Sequence, residues 1–75
     1  MERAIFKKYQ NGYYHFLIDD VEEMIFEEAS AKVLNQFDLK TDSTLVGMRF
    51  LISYSEYYED DEELVVYRLE TLKLL

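Results

Sequence analysis

The chain has 75 residues, no cysteine and a formal net charge of −8, enough for one domain over residues 1–75 and no basis for disulfides or thiolate metal sites. Seven tyrosines and five phenylalanines can fill a small core and argue against disorder, which needs low hydrophobicity together with high charge. The acidic balance works against non-specific nucleic-acid binding, which depends on Lys and Arg neutralising phosphates, and against anionic membrane surfaces.

Arg3 to Tyr9 is rich in apolar and aromatic residues and reads as a strand. Gln10-Asn11-Gly12 follows, and Asn-Gly is the strongest short hairpin signal because both residues tolerate positive φ. Tyr13 to Ile18 is the second strand, closed by a turn at Asp19-Asp20. A hairpin across residues 3–18 is therefore expected.

Residues 20–38 have two readings. Asp20 with Glu23 resembles a capping box, and Val21, Met24, Ile25, Ala29, Lys32, Val33 and Phe37 recur at roughly helical spacing. The preferred reading splits the segment. A third strand, with Met24 and Phe26 on one side and Ile25 out of pattern, is followed by a short helix from about Ser30 to Phe37 carrying Val33, Leu34 and Phe37 inward.

After a polar connection, Val46, Met48, Phe50, Ile52 and Tyr54 alternate with Gly47, Arg49, Ser53 and Ser55, a period-two pattern that marks a strand. Glu59-Asp60-Asp61-Glu62-Glu63 reads as a solvated loop. The last strand runs from Leu64 to Leu72, with Val65, Tyr67 and Leu69 on one face. A phase shift to Leu72 and Leu74 implies a bulge or a strand end.

Three strands, a short helix and two more strands is the order of the OB-fold. Through Gly12 to Asp20, Met24-Ile25-Phe26 and Leu45 to Phe50, the chain resembles a small OB-fold protein and, more loosely, a cold-shock domain. The expected fold is thus mostly β: a five-stranded OB-like barrel with one helix between strands three and four. The alternative is a ββαββ sandwich with one long helix over residues 20–38. In cold-shock domains, aromatics of the second and third strands stack bases. Tyr14 and Phe16 match such positions in type, although His15 stands where the family has glycine and carboxylates crowd the third strand.

Candidate site residues follow from the charge distribution. Glu2 against Arg3, Lys7 and Lys8 leaves +2 over residues 1–18 and −10 beyond. Lys7 and Lys8 with Tyr9, Tyr13, Tyr14 and Phe16 combine cations with rings. That combination suits a partner's hot-spot surface or single-stranded nucleic acid. The plainer reading places half of these rings in the core. The binding set is therefore Lys7, Lys8, Tyr9, Tyr14 and Phe16, with a protein partner or self-association favoured over nucleic acid.

His15, the single histidine, has no second His or Cys beside it and reads as a strand residue rather than a general base or metal ligand. The 59–63 carboxylates lack the Asp/Asn alternation and glycine of an EF-hand loop. Asp19-Asp20 and Glu22-Glu23 are adjacent pairs, and adjacent strand residues point to opposite faces. Ser30, Ser43, Ser53 and Ser55 have no glycine-rich context. A non-enzymatic interaction module without cofactor or metal is expected. Met1 to Lys8 lacks an apolar signal-peptide core, so the expected setting is the cytoplasm.

Overall fold

A computed structural model describes residues 1–58 and 64–75. The reading of Glu59–Glu63 as a solvated or cation-binding loop lies outside the described residues.

Two short turns arrange the first three strands, β1 (Glu2–Gln10), β2 (Tyr13–Ile18) and β3 (Glu22–Phe26). Asn11 and Gly12 have φ of 54° and 84°, and Asp19 and Asp20 have 51° and 61°. Positive φ at both central residues gives a turn whose twist matches that of the flanking strands. Asn, Asp and Gly are the residues that accept it most readily. The antiparallel registers run Phe6 opposite Phe16 and Phe16 opposite Met24.

The single helix over 20–38 is excluded, because residues 22–26 are extended and paired. The third strand resumes after Glu27 as the two-residue β4 (Glu28–Ala29), so the expected five strands are six. β4 pairs in parallel with β6 (Val65–Leu74), and β6 pairs antiparallel with β5 (Arg49–Tyr58). The sheet order is β3-β2-β1-β5-β6-β4. No ladder joins its two ends, so the described sheet is mostly-β architecture without the closed barrel that was expected.

The helix α1 (Ala31–Gln36) falls where the split reading put it. Ser30 caps it: its hydroxyl accepts from the Val33 N–H at 3.2 Å and donates to the Glu70 carbonyl at 2.8 Å. The Ser30 N–H donates to the Leu69 carbonyl at 2.8 Å. One residue thus satisfies a free helix donor and fastens the helix start to β6. Val33 is buried and Phe37 packs on the core, whereas Leu34, expected inside, is exposed. A six-residue helix has room for only a narrow buried stripe.

β5 begins later than expected. Ser43–Leu45 form a turn of 3-10 helix capped by Asp42, Val46 is exposed, and Gly47 has φ of 87°. The backbone then docks on β1, with Gly47 N–H donating to Phe6 O at 2.7 Å and Phe6 N–H to Met48 O at 3.1 Å.

Two bulges rephase the strands. Lys7 is the extra residue in β1, since Phe6 faces Phe16 while Lys8 faces His15. Ala4 and Phe6 therefore point inward before the bulge and Tyr9 after it. In β6 the expected shift occurs at Glu70: Thr71 faces Ser53 and Leu69 faces Tyr54. Leu69 and Leu72 both reach the core, while Leu74 is exposed. A cluster of phenylalanine rings lies at the centre of the core. Phe16 lies with its ring centroid 5.2 Å from Phe6, 5.7 Å from Phe26 and 6.4 Å from Phe50, and Phe37 covers Phe50 at 5.2 Å. Most of these pairs are tilted or edge-on, as the ring quadrupole favours.

Candidate functional site

The structure divides the five residues of the predicted binding set. Lys7 and Lys8 are exposed, Lys7 because the bulge leaves it without a cross-strand partner. Tyr9 is half-buried, its ring 4.9 Å from that of Tyr14, and the Lys40 ammonium lies 5.8 Å from its centroid, within cation–π range. Tyr14 is 4% exposed and Phe16 is 0% exposed. Burial pushes the Tyr14 hydroxyl pKa up, with a smaller contribution from Tyr9. A base could stack on Tyr14 or Phe16 only by opening the core, so the predicted platform does not form as a continuous surface. Half of the rings being core residues is the arrangement observed.

The outward face of the first three strands carries other side chains. His15 lies opposite Lys8 on β1 and opposite Ile25 on β3. His15 Nδ1 is 3.0 Å from Glu23 Oε1, a hydrogen bond made when Nδ1 carries a proton. Tyr13 and Ile25 are 40% and 44% exposed. Ile25 is the residue that broke the alternation of its strand, and that break was the available signal for an outward-facing apolar side chain. Tyr13 follows from its neighbour: with Tyr14 inside, period two turns Tyr13 outward.

β3 stands at the end of the sheet order, so β2 covers one of its edges and, among the described residues, no ladder covers the other. Along that second edge runs a groove of about 290 Å³ lined by Glu22, Glu23, Met24, Ile25 and Tyr67. Met24 and Tyr67 are half-buried members of the core margin and form its apolar base. Behind it, Tyr54 has its hydroxyl pKa raised, first by burial and then by the carboxylates of Glu2, Glu22 and Glu56 together with Tyr67. Negative charge therefore converges on this side of the molecule.

The acidic pair Asp19-Asp20 serves the turn. The Asp19 N–H donates to the Arg3 carbonyl at 2.9 Å, and Asp20 approaches Arg49 at 3.6 Å between exposed side chains. Both line a cavity of about 150 Å³ with Arg3, Ala4, Ile5, Arg49 and Leu75. Among the described residues, no three His, Asp or Glu side chains are grouped so as to hold a metal ion. Among those residues also, no helix is long and apolar enough to cross a membrane. Compared with known proteins, the chain matches no family model, no curated protein and no solved structure; the cold-shock likeness gains no support from them.

Proposed function

We propose that the chain is a small OB-like module that binds a protein or peptide partner and catalyses no reaction, in a cytoplasmic setting. Support for the OB-like reading comes from residues 22–29. This one segment pairs with β2 at its start and runs parallel to β6 at its end, with Glu27 N–H donating to Tyr67 O at 3.1 Å. A partly open, five-stranded barrel has this connectivity when β3 and β4 count as one bent strand.

The observation that carries the function is the juxtaposition of exposed Tyr13 and Ile25 with an uncovered strand edge. Aromatic and aliphatic anchors beside free backbone donors and acceptors are what peptide-binding surfaces use. Lys7 and Lys8 remain available at the rim, where charge steers association. Single-stranded nucleic acid is the competing ligand, but two of the rings it would stack on face inward.

Selection of phage-displayed random peptides on the immobilised protein, followed by NMR titration of the isotope-labelled chain, tests this. Enriched peptides should shift amides within Tyr13–Leu17 and Glu22–Phe26. Failure to enrich any peptide, with an oligothymidine instead shifting Lys7–Phe16 in a steeply salt-dependent way, would reject the proposal.

A further inference from the structure

We infer that the free edge of β3 accepts an extended peptide of alternating basic and apolar residues as an added strand. This rests on the peptide-binding reading and names the ligand chemistry for that surface.

The geometry begins at Glu27. Its N–H bonds to Tyr67 O, and the parallel β4–β6 ladder continues from Glu28 opposite Arg68. Among the described residues no backbone hydrogen bond joins Glu22–Phe26 to β6. Each of these residues still carries peptide groups, and in a strand alternate residues direct theirs to opposite edges. One set is used by β2; the other faces the groove. An incoming strand satisfies that row with main-chain hydrogen bonds, the mode by which extended peptides join exposed sheet edges.

Side-chain chemistry selects which peptide. The inner side of the edge presents Met24 and, across the groove, Tyr67, so the residues that an added strand turns inward are apolar. The outer side presents Glu23 beside Ile25, while Glu22, in step with Met24, sets its carboxylate at the inner side of the mouth. Glu22 has no ion pair among the described residues, and its carboxylate joins those of Glu2 and Glu56 in acting on Tyr54. A residue turned outward opposite Glu23 is therefore Lys or Arg, and a basic residue at the end of the added strand meets Glu22 at the mouth. Alternation between the two faces is what strand geometry imposes.

The same charges disfavour a second copy of this chain. Two β3 edges pairing with each other would set Glu22 and Glu23 against their counterparts, and like charges directly opposite are destabilising. Charged side chains on an edge are also a known guard against aggregation. A guard rejects every strand, whereas a site accepts the one of opposite charge, and that difference can be measured.

The probe is a capped octapeptide of alternating Lys and Val, compared with its Glu–Val counterpart and with two versions N-methylated at every Val or at every Lys. In NMR titrations at low salt, the Lys–Val peptide should shift the amides of Glu22–Phe26 and slow their hydrogen exchange. The Glu–Val peptide should leave them still. At least one N-methylated version should lose binding, because alternate residues of an added strand donate to the edge. The exposed double variant Glu22→Lys/Glu23→Lys, checked for an unchanged spectrum elsewhere, should weaken the Lys–Val peptide at least tenfold and gain affinity for the Glu–Val peptide. Binding that survives both methylation patterns, shifts centred elsewhere, or no binding at all overturns the inference. If phage-selected peptides still bind at Tyr13–Leu17 in that event, the module reading stands and only the edge assignment falls. If no peptide binds anywhere, both fall.

Discussion

Truncation of Phe16 to alanine distinguishes a core ring from a stacking ring. Phe16 is 0% exposed and its ring lies 5.2 Å from Phe6, 5.7 Å from Phe26 and 6.4 Å from Phe50. Removing it leaves a cavity that three neighbouring rings, each fixed by further contacts, cannot fill by relaxing. Phe→Ala at such sites costs about 3–5 kcal/mol. At roughly 0.05–0.15 kcal/mol per residue, the whole chain has about 4–11 kcal/mol to lose. The variant should therefore lose about a quarter or more of its stability. Its melting temperature should fall by more than about 12 °C, at roughly 4–8 °C per kcal/mol for a domain of this size. Urea unfolding followed by circular dichroism and tyrosine fluorescence gives the value, and coincidence of the two signals checks that the transition is two-state. Phe16→Leu, which keeps much of the apolar volume, should fall between wild type and Phe16→Ala and remains measurable if the alanine variant does not fold. A solvent-facing ring would cost within about 0.5 kcal/mol. A loss below about 1 kcal/mol for Phe16→Ala, at an unchanged denaturant slope, would refute the inward placement of β2.

Ser30→Ala removes the helix cap and the hydroxyl donor to Glu70 O together, and should cost about 1–2 kcal/mol in urea unfolding. Ser30→Asp can still cap but cannot donate, so it should recover only part of that loss. Tyr14 and Tyr54 have raised hydroxyl pKa values. A raised folded value contributes stability below the unfolded pKa of about 10 that is lost as pH rises through the folded value. Ultraviolet titration should show these two phenols ionising late, alongside alkaline unfolding, and Glu22→Gln should lower the Tyr54 value while leaving Tyr14 unchanged.

Local chemistry was readable wherever one residue type serves one backbone geometry. Asn11-Gly12 and Asp19-Asp20 announced their turns because few other residues tolerate positive φ at both central positions. The helix near Ser30 and the alternation of Phe50, Ile52 and Tyr54 were equally legible. The split of residues 20–38 follows from the tight Asp19-Asp20 turn, which folds Met24-Ile25-Phe26 back against β2. The interruption at Glu27 was not visible, because it reflects a change of partner from β2 to β6 rather than a change in sequence character.

The binding surface was less legible, for a specific reason. Tyr13 to Ile18 carries large side chains on both faces, so periodicity fixed the alternation but not its sign. The sequence by itself determined that this is a cysteine-free, acidic, aromatic-rich domain of mostly strands with Asn- and Asp-built turns. Only the tertiary structure decided that Tyr14, Phe16 and Ile18 face inward, that a bulge at Lys7 rephases β1, and that among the described residues no strand covers the second edge of β3. Burial is a property of the neighbours a side chain meets across the sheet, and those neighbours here lie far along the chain.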